Sequence, residues 1–368
     1  MFSSPRQKEN HQDSLTPPYP HFPSTPQPDK VFRFHVENSI ICSPQVQKSR
    51  TLKHSNTFKA KQSAKESGII SSYAAITDQG LFRSYNEDRV SILLNISNKP
   101  QTDPKAWPSC SFFGVYDGHG GSKCADYLRD NLHQIIIKDP NFPFNAVEAI
   151  FNGFKQAELN FTKLAQDSDP KDFSGSCAIV VLLINDICYV ANLGDSRGIL
   201  SSNGGKKLFP LSTDHKPDGE TERKRIESNG GQVYQSSVCG LNGKVKLGPF
   251  RVLPGRLSVS RTIGDVYAKV RELGGNDKTV ISTPDIKIFR VSPEHDFIFI
   301  ASDGVFDTMT NRDVLKQCWR AGGHDAHSAA SESVRRVLSE AMERKSRDNL
   351  TAVIITFKNF YSVLSKYE

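Results

Sequence analysis

The sequence predicts an α+β fold built on antiparallel sheets. Two observations carry that prediction. Apolar runs follow one another through short turns, as at Asn185-Asp186 and Asn203-Gly204-Gly205, so neighbouring strands pair as hairpins. Helical patterns are gathered in groups instead of alternating with strands one for one, which a doubly wound parallel sheet would require. A third observation concerns chemistry: several apolar runs deliver an aspartate at their end.

Residues 1–67 are rich in Pro, Ser, Thr, Gln and Lys without a sustained period, and are expected to be a disordered tail. They carry ten Lys/Arg against five Asp/Glu, so +5 of the net +7 lies in this stretch. The remainder carries only +2 and has no basic patch of the kind that binds nucleic acid. Ser4-Pro5, Thr16-Pro17, Thr25-Pro26 and Ser43-Pro44 have the form of proline-directed phosphorylation sites. Val31-Phe32-Arg33-Phe34 is an apolar island within the tail.

Order is expected from Gly68. Residues 69–76 and 89–96 read as strands, separated by the loop Gly80-Leu81-Phe82-Arg83-Ser84-Tyr85-Asn86-Glu87-Asp88. After a polar loop over 97–109, the run Ser111-Phe112-Phe113-Gly114-Val115-Tyr116 ends in Asp117-Gly118-His119-Gly120-Gly121. A short aromatic run stopped by glycine reads as a buried strand, and its aspartate falls at the sheet rim. Ala125, Leu128, Leu132 and Ile135 predict a helix over 120–138; Val147, Ile150, Phe154 and Phe161 predict another over 144–166. Residues 177–184 and 187–193 read as a hairpin whose second arm ends in Gly194-Asp195-Ser196-Arg197. A short strand over 198–201 and a charged helix over 220–228 follow. Residues 232–256 mix glycine, proline and cations without a period and read as a long loop. Strands over 286–291 and 297–301 lead into Ser302-Asp303-Gly304. Helices over 311–320 and 326–344 then precede a last strand over 351–357, with Arg347-Asp348-Asn349 at its start.

Asp117, Asp195, Asp303 and Asp348 thus come from distant parts of the chain to sheet ends, with Glu87 and Asp88 just before another strand. Converging carboxylates repel, and a hard divalent cation relieves them. Mg²⁺ or Mn²⁺ suits an all-oxygen site, and water between two cations is readily deprotonated. Arg83 offers a guanidinium fork for phosphate oxygens, and His119 can protonate a leaving oxygen. The seven cysteines include no Cys-x-x-Cys pair, which speaks against a zinc site or a disulfide framework and for a cytoplasmic or nuclear protein. No run approaches the ~18 apolar residues of a membrane span. The N-terminus is expected to hold no signal peptide, because Met1-Phe2-Ser3-Ser4 lacks an apolar core. The sixth residue after each cysteine is never arginine, which excludes a cysteine-dependent phosphatase. No Gly-x-x-x-x-Gly-Lys-Ser/Thr loop is present either.

Eight segments now stand in order. They are Arg83-x-x-x-Glu87-Asp88, Val115-Tyr116-Asp117-Gly118-His119-Gly120-Gly121, Ser174-Gly175-Ser176-Cys177-Ala178, Asn192-Leu193-Gly194-Asp195-Ser196-Arg197, Asp214-His215-Lys216-Pro217, Leu257-Ser258-Val259-Ser260-Arg261-Thr262-Ile263-Gly264-Asp265, Ala301-Ser302-Asp303-Gly304-Val305-Phe306-Asp307 and Arg347-Asp348-Asn349-Leu350-Thr351. Over roughly 70–358 the chain resembles the protein phosphatase 2C family of metal-dependent Ser/Thr phosphatases. The resemblance implies a central sandwich of two antiparallel β-sheets flanked by pairs of α-helices, with residues 68–368 as the catalytic domain. It implies two Mg²⁺ or Mn²⁺ ions bridged by Asp117, one held by Asp303 and Asp348 and the other by the Gly118 carbonyl. Glu87 and Asp88 would act through metal-bound waters. Arg83 would bind phosphate and His119 would be the general acid. Asp195 with Asp303, assisted by Asp307, would hold a weaker third ion. The implied substrates are phosphorylated proteins, with no nucleic-acid or membrane partner, and a monomer is expected. An inactive phosphoprotein-binding scaffold would be expected to have lost a metal aspartate or the arginine, and all are present. Cys177 stands where many members have threonine. The segment from Gly231 to Arg251 is longer than in many relatives, and in the family it forms a flap beside the site.

Overall fold

Among the described residues every named strand pairs antiparallel to its neighbours, across two large sheets and one small hairpin. The structure, a computed structural model, describes residues 33–42, 58–99, 107–239 and 245–366. In chain order the elements are β1 (Arg33–Cys42), β2 (Lys61–Gln62), β3 (Ser72–Asp78), β4 (Arg89–Lys99), β5 (Cys110–His119), α1 (Lys123–Lys138), α2 (Ala146–Asp167), β6 (Gly175–Ile184), β7 (Ile187–Leu193), β8 (Arg197–Ser202), β9 (Lys207–Pro210) and α3 (Glu220–Ser228). There follow β10 (Gln232–Cys239), β11 (Val245–Leu253), β12 (Ile263–Gly264), α4 (Val266–Lys269), β13 (Asp285–Arg290), β14 (His295–Ala301), α5 (Asp303–Phe306), α6 (Asn311–Cys318), α7 (Ala326–Glu343), β15 (Leu350–Thr356) and α8 (Lys358–Leu364). One sheet has the order β1-β4-β5-β6-β7-β13, with β12 also on β6; the other is β2-β3-β15-β14-β8-β9.

The period-2 alternation of side chains builds four layers from these strands. In β5, Phe112 and Tyr116 face α1 and α2, where they meet Leu128, Leu132, Ile136, Ile150 and Phe154. Phe113 and Val115 face the other way and meet Ile298, Ile300, Val353 and Ile355 of the second sheet. Phe297, Phe299 and Ile354 point outward against Val334, Val337 and Leu338 of α7. The helices are secured at their starts. Asp325 and Ser328 form a reciprocal capping box on α7, as Thr310 and Asp313 do on α6. The α-β-β-α sandwich expected from the sequence is the architecture found. Among the described residues no helix is long and apolar enough to cross a membrane.

Three stretches differ from expectation. Residues 232–256 contain the β10–β11 hairpin in place of a loop. Strand β11 is exposed or half-buried on both faces except at Val252, so no alternation of apolar and polar residues marks it. Helix α8 follows the last strand and buries Phe360 and Leu364. Within the expected tail, β1 pairs with the edge of β4, β2 pairs with β3, and Phe58 joins the core under α7. Ser63 Oγ also lies 2.6 Å from His327 Nδ1. Apart from the β2–β3 pairing, these contacts are made to residues far along the chain, and no local period announces them. The rest of the tail, with its Ser/Thr-Pro pairs, lies outside the described residues.

Candidate active site

The parity that buries Phe113 and Val115 between the sheets places Asp117 on that same face, at the point where the strand leaves the core. Asp303 begins α5 directly after β14, and Asp195 follows β7 through Gly194. Carboxylate oxygens of Asp117, Asp195 and Asp303 all lie within 4.8 Å of one another. The Asp303 backbone N–H donates to Asp117 Oδ2 at 3.4 Å. Burial, reinforced by repulsion from neighbouring carboxylates, pushes Asp117 and Asp303 well above the ordinary carboxylate range. Burial likewise raises Asp88 to about 7, against hydrogen bonds from Thr351 and Ser302. Such a set is costly without a counter-charge, and its donors are all oxygen. Both features fit a hard divalent cation.

Gly194 permits the approach of Asp195. Its φ is +105°, and an added Cβ would stand 2.2 Å from Cys177 Sγ. Cys177 Sγ donates to Asp195 Oδ1 at 3.2 Å, and Lys216 Nζ donates to Asp195 Oδ2. Lys216 is raised above its ordinary value: burial opposes its charge, but the Asp195 carboxylate outweighs burial.

The Asn349 amide ties the Arg83 loop to the start of β15. Asn349 Nδ2 donates to the Gln79 and Tyr85 carbonyls at 2.8 and 3.0 Å, while its Oδ1 accepts the Glu87 N–H at 2.9 Å. Glu87 Oε1 in turn accepts the Gly121 N–H at 2.6 Å, and Asp88 Oδ2 accepts from Ser302 Oγ at 2.9 Å. Arg83 Nη2 donates to Asp348 Oδ2 at 2.5 Å, and Nη1 lies 3.7 Å from Glu87 Oε2. Arg83 remains 45% exposed, so its fork reaches solvent. Asp348 is therefore paired with Arg83 and is not one of the three clustered aspartates. At Gly118 an added Cβ would stand 2.5 Å from the Glu87 carbonyl oxygen and 3.0 Å from Ala125 Cβ. Only glycine lets β5 pass this close to the loop.

His119 Nε2 lies 2.8 and 3.0 Å from the two carboxylate oxygens of Asp265. Asp265 is 1% exposed, and its backbone takes the left-handed region with φ +54°. Burial lowers the affinity of His119 for a proton, but Asp265 outweighs it and the net shift is upward. Sequence reasoning gave no role to Asp265 or Lys216. Each stands in a segment the sequence had singled out, 257–265 and 214–217, and that placement was the only signal available.

A family model described as Protein phosphatase 2C matches residues 74–350. This chain belongs to the protein phosphatase 2C family. It is a metal-dependent serine/threonine protein phosphatase, and its acidic cluster is a set of groups able to hold a metal. Among its relatives, "Probable protein phosphatase 2C 21" of Oryza sativa subsp. japonica is 31% identical over 316 residues, covering 78% of this chain and 83% of that protein. "Probable protein phosphatase 2C 59" of Arabidopsis thaliana is 34% identical over 245 residues, covering 67% of this chain and 69% of that protein. The fold matches a serine-threonine phosphatase 2C from Toxoplasma gondii at a TM-score of 0.63 and 24% identity, over 82% of this chain and 100% of the other.

Proposed function

We propose that this phosphatase 2C hydrolyses phosphoserine and phosphothreonine esters at a site for two Mg²⁺ or Mn²⁺ ions. Asp117 would be shared between the two. Asp303, Asp348 and the Gly118 carbonyl would complete the direct ligands, and Glu87 and Asp88 would act through water. Asp195 with Asp303, assisted by Asp307, would hold a weaker third ion. The observation that carries this reading is the cluster of Asp117, Asp195 and Asp303 within 4.8 Å, two of them with raised proton affinity. Bound divalent cations would neutralise these carboxylates, offset the phosphoryl charge and lower the pKa of water.

The chain's own residues do the rest. Arg83 turns its exposed fork to the phosphate oxygens, which compete with Asp348 for it. His119 is engaged through Nε2, so Nδ1 carries the proton that goes to the departing serine or threonine oxygen as its P–O bond breaks. Asp265 holds the imidazole in place and stabilises its cationic form, and the water oxygen forms the new P–O bond. Comparing His119→Gln on a phosphothreonine peptide and on an aryl phosphate tests this assignment. The alkyl ester should lose roughly tenfold to a thousandfold more rate, because its alkoxide needs the proton most. Equal losses on the two substrates would remove His119 from the acid role.

A further inference from the structure

Lys216 is built into the position opposite Asp195 by the residues that precede each of them. His215 donates its backbone N–H to the Gly194 carbonyl at 2.9 Å, and its Nδ1 accepts the Gly194 N–H at 3.0 Å. The His215 carbonyl is fixed in turn by the Ser260 N–H at 2.9 Å and Oγ at 3.0 Å. With 194 and 215 locked together, residues 195 and 216 emerge side by side. Both oxygens of Asp195 are then taken by the chain: Oδ1 by the Cys177 thiol, Oδ2 by the Lys216 ammonium. The Lys216 side chain is 35% exposed, so its long stem can carry the ammonium out to water.

We infer that Lys216 is the resident counter-ion of the Asp195 corner, and that a cation bound through Asp195 must displace it. Lys216 thereby sets how weakly the third ion is held, and it neutralises Asp195 when that ion is absent. The inference rests on Asp195 being a metal ligand.

The test is Mn²⁺ binding to the chelator-stripped full chain by calorimetry, with the melting temperature recorded in chelator. The variants are Lys216→Gln, Lys216→Met, Asp195→Asn and the Asp195→Asn/Lys216→Gln double. Both lysine variants should keep the tight ions and bind the weak one about tenfold or more tighter, the scale of one hydrogen bond to a charged group. They should also melt lower in chelator, because Asp195 is left beside Asp117 and Asp303 with the Cys177 thiol but no cationic partner. Asp195→Asn should lose the weak ion alone, and adding Lys216→Gln to it should change nothing more. If the lysine variants bind the weak ion no better than the parent while Asp195→Asn loses it, Asp195 is a ligand and the displacement is wrong. If the parent shows no weak ion, or Asp195→Asn retains it, the ligand assignment fails and the inference fails with it.

Discussion

His119 and Asp265, 146 residues apart, are joined through a single ring nitrogen that faces both carboxylate oxygens at 2.8 and 3.0 Å. The pairing raises the affinity of His119 for a proton above its ordinary value despite burial. Asp265→Asn should lower kcat about tenfold to a hundredfold and move the alkaline limb of the pH profile downward, because the imidazole then loses its proton at lower pH. The same shift bears on stability. Protonated His119 stabilises the fold fully below its unfolded pKa, and that contribution is lost as pH rises through the higher folded value. A pH–rate profile with an unmoved alkaline limb would show that Asp265 only packs against the ring.

Gly118→Ala should damage both fold and activity. Its Cβ would stand 2.5 Å from a backbone oxygen of Glu87, which no rotamer change relieves. The expected loss is about 1–3 kcal/mol in urea unfolding, the usual scale for overpacking. Phosphopeptide hydrolysis should fall with it, because β5 and the Glu87 loop are forced apart.

Arg83→Lys should raise KM for a phosphopeptide roughly tenfold or more and leave kcat less affected, since a point charge cannot grip two oxygens as the fork does. Steady-state kinetics separates the two parameters. A variant that loses kcat with KM intact would place Arg83 outside phosphate binding.

The N-terminal segment gives a graded prediction. A chain beginning at residue 68 loses buried Phe58, the β2–β3 pairing and the Ser63–His327 contact. It should be less stable by about 2–3 kcal/mol, the scale of burying one large apolar side chain. A chain beginning at residue 58 should keep that increment. Denaturant midpoints of the two shortened chains make the comparison, and equal midpoints would show that 58–67 contribute nothing.

Legibility in the sequence followed the range of each interaction. Asp117 was readable because a short aromatic run stopped by glycine marks its strand as buried, and Asp303 and Asp195 because each follows an apolar run. The hairpin of β10 and β11 was hidden, since a strand with little buried surface has no reason to alternate. The pairs His119–Asp265 and Lys216–Asp195 are long-range contacts of polar groups, and their spacing along the chain carries no periodic signal. Residues 58–67 were assigned to the tail by composition, which registers how many polar residues a segment has but not that one buried phenylalanine anchors it.

The central claim is that the converging carboxylates act through divalent cations. Phosphate release from a phosphothreonine peptide, before and after chelation and again after adding Mn²⁺ or Mg²⁺, addresses it directly. The account predicts that chelation abolishes release and that added cation restores it in the parent protein but not in Asp303→Asn, which lacks one of the clustered charges. Full release in excess chelator, or a parent-like rate in Asp303→Asn, would contradict it.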